Sequence, residues 1–378
     1  ALPPGGQGAY AAGREYRRML MTPGPTAVPE PVRDAMSREL INPDVDPAFD
    51  AIYADLVDRL SRVYGVAGGS TTTRDIAVLG GEGILGLEAA IASLVEPGTE
   101  VLCLSNGLYG DGFADFVESY GGEATLVSAA YDEPLPLDDL DAVLADRDRA
   151  FDLATMVHCE TPTGALNDLD PVLDRLEAAD GATLTVVDAV SSLGGTPVPT
   201  ERIDVCLGAS QKCFSAPPGL ATAAISDRAW AAMEARDPDS LYTNFLPWRD
   251  TSEGFPYTHL TTNVVALDEA LSLLLEEGLD EAYARHEAAA TRCRDRGAAL
   301  GLDPYPDPER SSPTVTAFHV PGRAPALQRA LREDHDVTVA TGLGDLADDT
   351  LRIGHMGHNA RTERVDEAMD ALAAVLDG

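Results

Sequence analysis

Lysine is almost missing from this sequence. A single amine side chain, Lys212, stands among 378 residues beside twenty-six arginines. Basic charge as a whole is scarce, with 27 Lys and Arg facing 63 Asp and Glu for a formal net charge of -36. A surface of that sign repels nucleic acid and anionic lipid, so neither is expected as a partner. Self-repulsion of this size strains a fold in dilute buffer, but at roughly molar ionic strength the screening length falls to about 3 Å and the penalty largely fades. The acidity therefore reads as a solvated surface suited to a salty cytoplasm. Compositional pressure of that kind explains the lost lysines and leaves the retained one unexplained.

Cysteines are few and unpatterned. They fall at 103, 159, 206, 213 and 293, an odd number without C-x-x-C spacing, which argues against a disulfide framework or a zinc site and for a reduced compartment. Long apolar runs are missing too, since none approaches the roughly 20 residues of a membrane span. The opening ALPPGGQGAYAAGREYRRML has no basic start followed by an apolar stretch, so no signal peptide is read there and a cytoplasmic location is expected. Repeats and low-complexity tracts are absent.

What remains is a globular composition, 44% apolar, on a chain long enough for two domains. Residues 1–20, rich in Gly, Ala and Pro, are expected to form a loose N-terminal arm. Over 21–265, short apolar runs (IAVL, VLCLS, ATLVSA, LATMVH, TLTVVDAV, DVCLGAS) alternate with segments of helical periodicity. That pattern predicts an α/β domain with a mostly parallel sheet flanked by helices. From 264 a long helical stretch, VVALDEALSLLLEEGLDEAYARHEAAATRCRDRGAALG, is expected to lead into a smaller α+β domain over 266–378. In open α/β sheets ligands sit outside the C-terminal ends of the strands, so residues just past each apolar run are the candidates for function.

Several such positions converge on one chemistry. Asp188 closes TLTVVD, where a carboxylate buried alone would be costly and should face a cation or a crevice. Lys212 lies just past the next run, DVCLGAS, among Gly, Ser, Cys, Phe and Pro. A lysine in apolar surroundings loses its proton more readily, which suits a nucleophilic amine. Together they suggest pyridoxal phosphate, whose aldehyde condenses with the amine while the carboxylate holds a proton on the ring nitrogen. A structural ion pair is the plain alternative. The turn GGEGILGLEAA, residues 80–90, between a strand and a helix, offers backbone amides to a phosphate. Its GEGILG also satisfies G-x-G-x-x-G, but the next strand, VLCLS, ends near Asn106 rather than at the acid that a nicotinamide dehydrogenase wants. Arg352, in TLRIGHMG, suits a substrate carboxylate. Tyr109, in SNGLYGDGF, is placed to lie flat on an aromatic cofactor, or simply to pack.

The ordered set GGEGILGLEAA, SNGLYGDGF, HCETPTG, VVDAVSSLGG, SQKCFSAPPGL and LRIGHMG resembles the class V pyridoxal-phosphate-dependent aminotransferases of fold type I, within them the alanine-glyoxylate and serine-glyoxylate group, from about residue 22 to the C-terminus. The resemblance implies that Lys212 carries the cofactor as a Schiff base, that Asp188 pairs with the pyridine nitrogen, and that Val190 and Tyr109 pack on opposite ring faces. It further implies phosphate contacts from Gly83, Ile84 and Gln211, a ring-hydroxyl contact from Thr163, and carboxylate binding by Arg352. Relatives are homodimers with the active site at the subunit interface, where Thr258 would supply a phosphate contact to the partner's site. The implied activity is ping-pong transfer of an amino group from alanine or serine to glyoxylate or pyruvate. Glu82 departs from the glyoxylate enzymes and resembles the Gly-Glu-Pro of pyridoxamine-pyruvate aminotransferases, as a residue near the substrate, whereas Leu343, nine residues before Arg352, matches the glyoxylate enzymes. Cysteine desulfurases share the fold but need a mobile late cysteine, and Cys293 falls within a helical pattern.

Overall fold

A computed structural model of the chain describes residues 19–67, 74–179 and 181–377. Most of the expected arm, residues 1–18, lies outside them.

Among the described residues, strands β1 (Arg74–Gly80), β2 (Glu100–Ser105), β3 (Glu123–Ser128), β4 (Leu153–Val157), β5 (Leu184–Asp188), β6 (Val205–Ala209) and β7 (Leu220–Ser226) form one sheet in the order β1-β7-β6-β5-β4-β2-β3. Pairing from β3 through β6 is parallel, and β7 runs antiparallel to both its neighbours. The period of two along each strand sends alternate side chains to two separate apolar cores. Ile76, Val78, Leu102, Leu104 and Val187 enter one, and Ala77, Leu79, Val101, Cys103 and Val186 the other. This is why the central strands read as unbroken apolar runs.

Helix α1 (Pro47–Val63) starts with Pro at its first position and Asp46 accepting the Ala48 N–H at 3.0 Å, a standard way to satisfy the orphan amides of a helix start. Phe49, Tyr53, Leu56, Leu60 and Val63 recur on one face and fill the first core. α2 (Gly83–Leu94) and α3 (Leu108–Ser119) follow β1 and β2 and cover the opposite face. The long helical stretch after 264 is two helices, α4 (Thr261–Glu277) and α5 (Leu279–Ala299), divided at Gly278 with φ +95°. α4 buries Val264, Leu267, Leu271 and Leu274 in the first core. A third core, with Cys293, Phe318, Leu351, Ile353 and Met369, is built on a small antiparallel sheet ordered β8 (Thr316–His319), β10 (Thr350–Ile353), β9 (Ala340–Thr341), and on helix α6 (Thr362–Asp377). Met21 joins this third core.

β1 is the edge strand next to antiparallel β7, so GEGILG does not open a parallel βαβ dinucleotide unit. The five cysteines are free and buried. No helix among the described residues is long and apolar enough to cross a membrane.

Candidate active site

The carboxyl ends of β5 and β6 deliver Asp188 and, three residues past Ala209, Lys212. The turn carrying Lys212 is closed by its own polar atoms: Ser210 Oγ donates to Pro217 O at 2.6 Å and accepts from Leu220 N–H, and Ser215, at φ +62°, donates its N–H to Lys212 O. Over this turn runs the segment TPGPT, residues 22–26. Its register is fixed by Thr26 N–H to Gln211 O at 3.0 Å and Gly354 N–H to Met21 O at 2.7 Å. The lysine side chain ends against it, with Nζ donating to Pro23 O at 2.7 Å.

Lys212, Asp188, Glu82, Gly83, Ile84, Tyr109, Val190 and Gln211 line one cavity of about 460 Å³, with Gly24, Pro25, Leu87, Thr161, Ser191 and Pro218 completing its wall. Eight of the eleven sequence candidates are thus brought together. Burial pushes the Lys212 ammonium down to about 8, helped by the positive Arg352 and opposed by Asp188. Burial likewise raises the Asp188 carboxyl to about 6 against the Val190 N–H, bonded at 2.8 Å, and the charge of Lys212. At neutral pH Asp188 is therefore mostly ionised, and the amine holds a larger free-base fraction than an exposed lysine would.

Arg352, on β10, is buried against the cavity rather than lining it. Its Nε donates to Thr341 O at 2.6 Å and its Nη1 to Thr161 O at 3.2 Å, which leaves Nη2 unengaged among the described residues. Burial lowers the guanidinium to about 10, and its charge is felt at both Lys212 and Tyr109. Tyr109 is raised above its usual range by burial and the nearby Asp188.

Two candidates sit elsewhere. Thr163 is buried outside the cavity wall, its hydroxyl donating to Glu160 O and accepting from Ala165 N–H at 3.3 Å each, so that it closes the Glu160–Gly164 turn. Thr161, two residues earlier, is the one at the wall, its hydroxyl bonded to Ser191 Oγ. Thr258 donates to Asp44 Oδ2 at 2.9 Å, outside the cavity wall.

The α2 end of the cavity has an acidic cap. Glu82 Oε2 accepts the Ile84 N–H at 3.2 Å. Gly83 is pressed on the sheet, where a Cβ would meet Val190 Cγ1 at 3.0 Å and Ala209 Cβ at 3.3 Å. Gln211 Oε1 is buried with no hydrogen-bond partner among the described residues.

An open α/β sheet with an amine and a carboxylate at adjacent strand ends defines the architecture of the fold type I aminotransferases. The sequence profile described as "Aminotransferase class-V" matches residues 74–366, and the chain belongs to this family of transaminases. It is 34% identical over 373 residues to pyridoxamine–pyruvate transaminase of Mesorhizobium japonicum, covering 95% of this chain and 91% of that protein. It is 31% identical over 372 residues to alanine–glyoxylate aminotransferase of Oryctolagus cuniculus, covering 95% and 92%. The crystal structure of pyridoxamine-pyruvate aminotransferase from Mesorhizobium loti superposes with a TM-score of 0.88 at 30% identity, over 97% of this chain and 94% of that one.

Proposed function

We propose that this enzyme is a pyridoxal-phosphate-dependent aminotransferase that moves an amino group from a small amino acid, alanine or serine, to glyoxylate or pyruvate by ping-pong half-reactions at one site, in the cytoplasm. The observation that carries this reading is that the only amine side chain in the sequence sits half-buried beside a strand-end carboxylate in one cavity, at about pKa 8. The residues fit the ring end of the cofactor: an aldehyde reaches Nζ, a protonated pyridine nitrogen suits the ionised Asp188, and Tyr109 and Val190 offer flanking surfaces. When bound, the group supplies an electron sink for the bond broken at the substrate α-carbon. Asp188, as an ionised acceptor, would keep the ring nitrogen protonated. Lys212 Nζ would anchor the aldehyde and, when free, would take up the substrate α-proton as a general base. Arg352 takes the substrate carboxylate with its free Nη2 edge, and Thr161 O and Thr341 O fix the guanidinium plane. Lys212→Ala is expected to lower turnover of alanine or serine with glyoxylate by at least about a thousandfold; retained turnover would overturn the assignment.

A second reading rests on Glu82. Its carboxylate occupies the positive end of α2, where a phosphate dianion would seek the same amides. Like charge there opposes the phosphorylated cofactor and favours pyridoxamine or pyridoxal, which lack the phosphate, in line with the substrate in the name of the Mesorhizobium relative. Leu343 supports the glyoxylate reading instead, because it puts an exposed apolar side chain where a second carboxylate clamp would need a cation.

A homodimer belongs to the proposal. Thr258 and the exposed Leu260, Leu40 and Val45 are not part of this chain's own cavity wall, which leaves them available to a partner's site.

A further inference from the structure

Glu160 is fully buried at the end of a two-residue strand, one residue before Thr161 of the cavity wall. A buried carboxylate without partners is costly. Glu160 Oε1 accepts the Gly110 N–H at 2.7 Å, and Oε2 the Tyr109 N–H at 3.3 Å. These are first-turn amides of α3, whose N-cap is Gly107 and has no side chain to bond them. The carboxylate does that work from another element of the fold.

Gly107 shows how closely the fit is made. Its φ is -175°, ordinary extended backbone that any residue adopts. A Cβ at this position would fall within the contact shell of the Glu160 carboxyl group. Glycine is therefore required here by the carboxylate and not by the backbone angle. Asp111, in the same first turn, is tied down separately by Ser105 Oγ and Tyr131 Oη, both at 2.6 Å.

Resting on the functional reading above, we propose that Glu160 is a positioning residue, acting through Tyr109: it fixes the start of α3 so that the tyrosine ring forms one wall of the site against the bound pyridine ring. Glu160→Gln keeps the shape but turns one acceptor into an N–H donor that faces an amide N–H. Gly107→Ala displaces the carboxylate without removing it. Burial pushes the Glu160 carboxyl up to about 8, with Asp188 and Asp111 adding to the rise and the two amides opposing it, so both oxygens act purely as acceptors above that pH.

The test is the affinity of the unloaded protein for 4-deoxypyridoxine, a ring probe that cannot condense with an amine, measured by calorimetry at about pH 9, above the value of about 8 at which Glu160 ionises. Glu160→Gln is expected to weaken binding about tenfold with Tyr109 present and less than twofold in a Tyr109→Ala background. Gly107→Ala is expected to give a similar loss, and to add nothing further in a Glu160→Ala background, where the space is free and the positioning is already gone. Equal losses in both backgrounds, or none, would refute the role of Glu160 while leaving the functional reading intact. Failure of the unmutated protein to bind the ring probe would refute both. Should Glu160→Gln fail to fold, the Gly107→Ala pair decides on its own.

Discussion

At the scale of single residues, the lysine depends on what lies within a few ångströms of it. Gly24 passes over Lys212 at φ +105°, and a Cβ there would stand 2.5–2.7 Å from Cδ, Cε and Nζ. Gly24→Ala should therefore cost stability of about 1–3 kcal/mol from backbone strain and also displace the amine. The expected result is a lower Tm together with a loss of reaction at Lys212 larger than the Tm change explains; an active, equally stable variant would contradict the placement. Arg352→Ala should raise KM for the amino acid about tenfold or more while lowering kcat less, because its proposed role is to hold a carboxylate. An unchanged KM would remove it from the substrate site. Lys212 and Asp188 were legible in the sequence because a polar residue ending an apolar run has few places to go except a crevice. Thr161 was not, since TPT offers two hydroxyls and only the turn back to Glu160 decides which one faces the cavity. Gly24 and Glu160 were hidden for a related reason: their significance lies in contacts with residues far away in sequence.

At the scale of elements, α2 carries the sharpest chemical question. Its start presents amides to an anion, as the glycine-rich turn predicts, but Glu82 already accepts one of them. Glu82→Ser should tighten binding of pyridoxal phosphate relative to pyridoxal by about tenfold, the size of a like charge removed from a partly exposed helix start. If the ratio does not move, the carboxylate does not govern the choice of vitamer. Strand order explains another part of the site. The alternation of apolar runs with helices gave the class of fold, whereas the antiparallel insertion of β7 between β1 and β6 has no signature in any single strand. It is this insertion that sets the turn before α2 beside the lysine turn: Gly81 N–H donates to Gly219 O at 2.8 Å. The edge of β1 is guarded by aromatic side chains, with the Gly80 N–H donating to Tyr257 Oη at 3.2 Å. The long helical stretch read after 264 divides because Gly278 adopts a positive φ that continues neither helix.

At the scale of the whole molecule, the net charge of -36 and the buried site obey different rules. Surface ion pairs abound, as where Arg202 meets Asp170, Asp174 and Glu177, yet such pairs are individually weak and leave a large acidic excess. We propose that this excess suits the protein to high salt. Its Tm should rise steeply between about 0.1 and 1 M potassium chloride as screening tightens, and a flat or falling Tm would contradict the proposal. The amine inside the cavity is shielded from that surface and is governed by burial. Because the sequence contains one lysine, its chemistry can be read without interference from other side chains. The most direct measurement is to incubate the protein with pyridoxal or its phosphate at a series of pH values, reduce with borohydride, and map the adduct by peptide mass spectrometry. The account predicts a single side-chain adduct at Lys212 whose formation rises through about pH 8 and not the usual 10.5; an adduct confined to the chain's α-amino group, or one at Lys212 that forms only near pH 10.5, would contradict it.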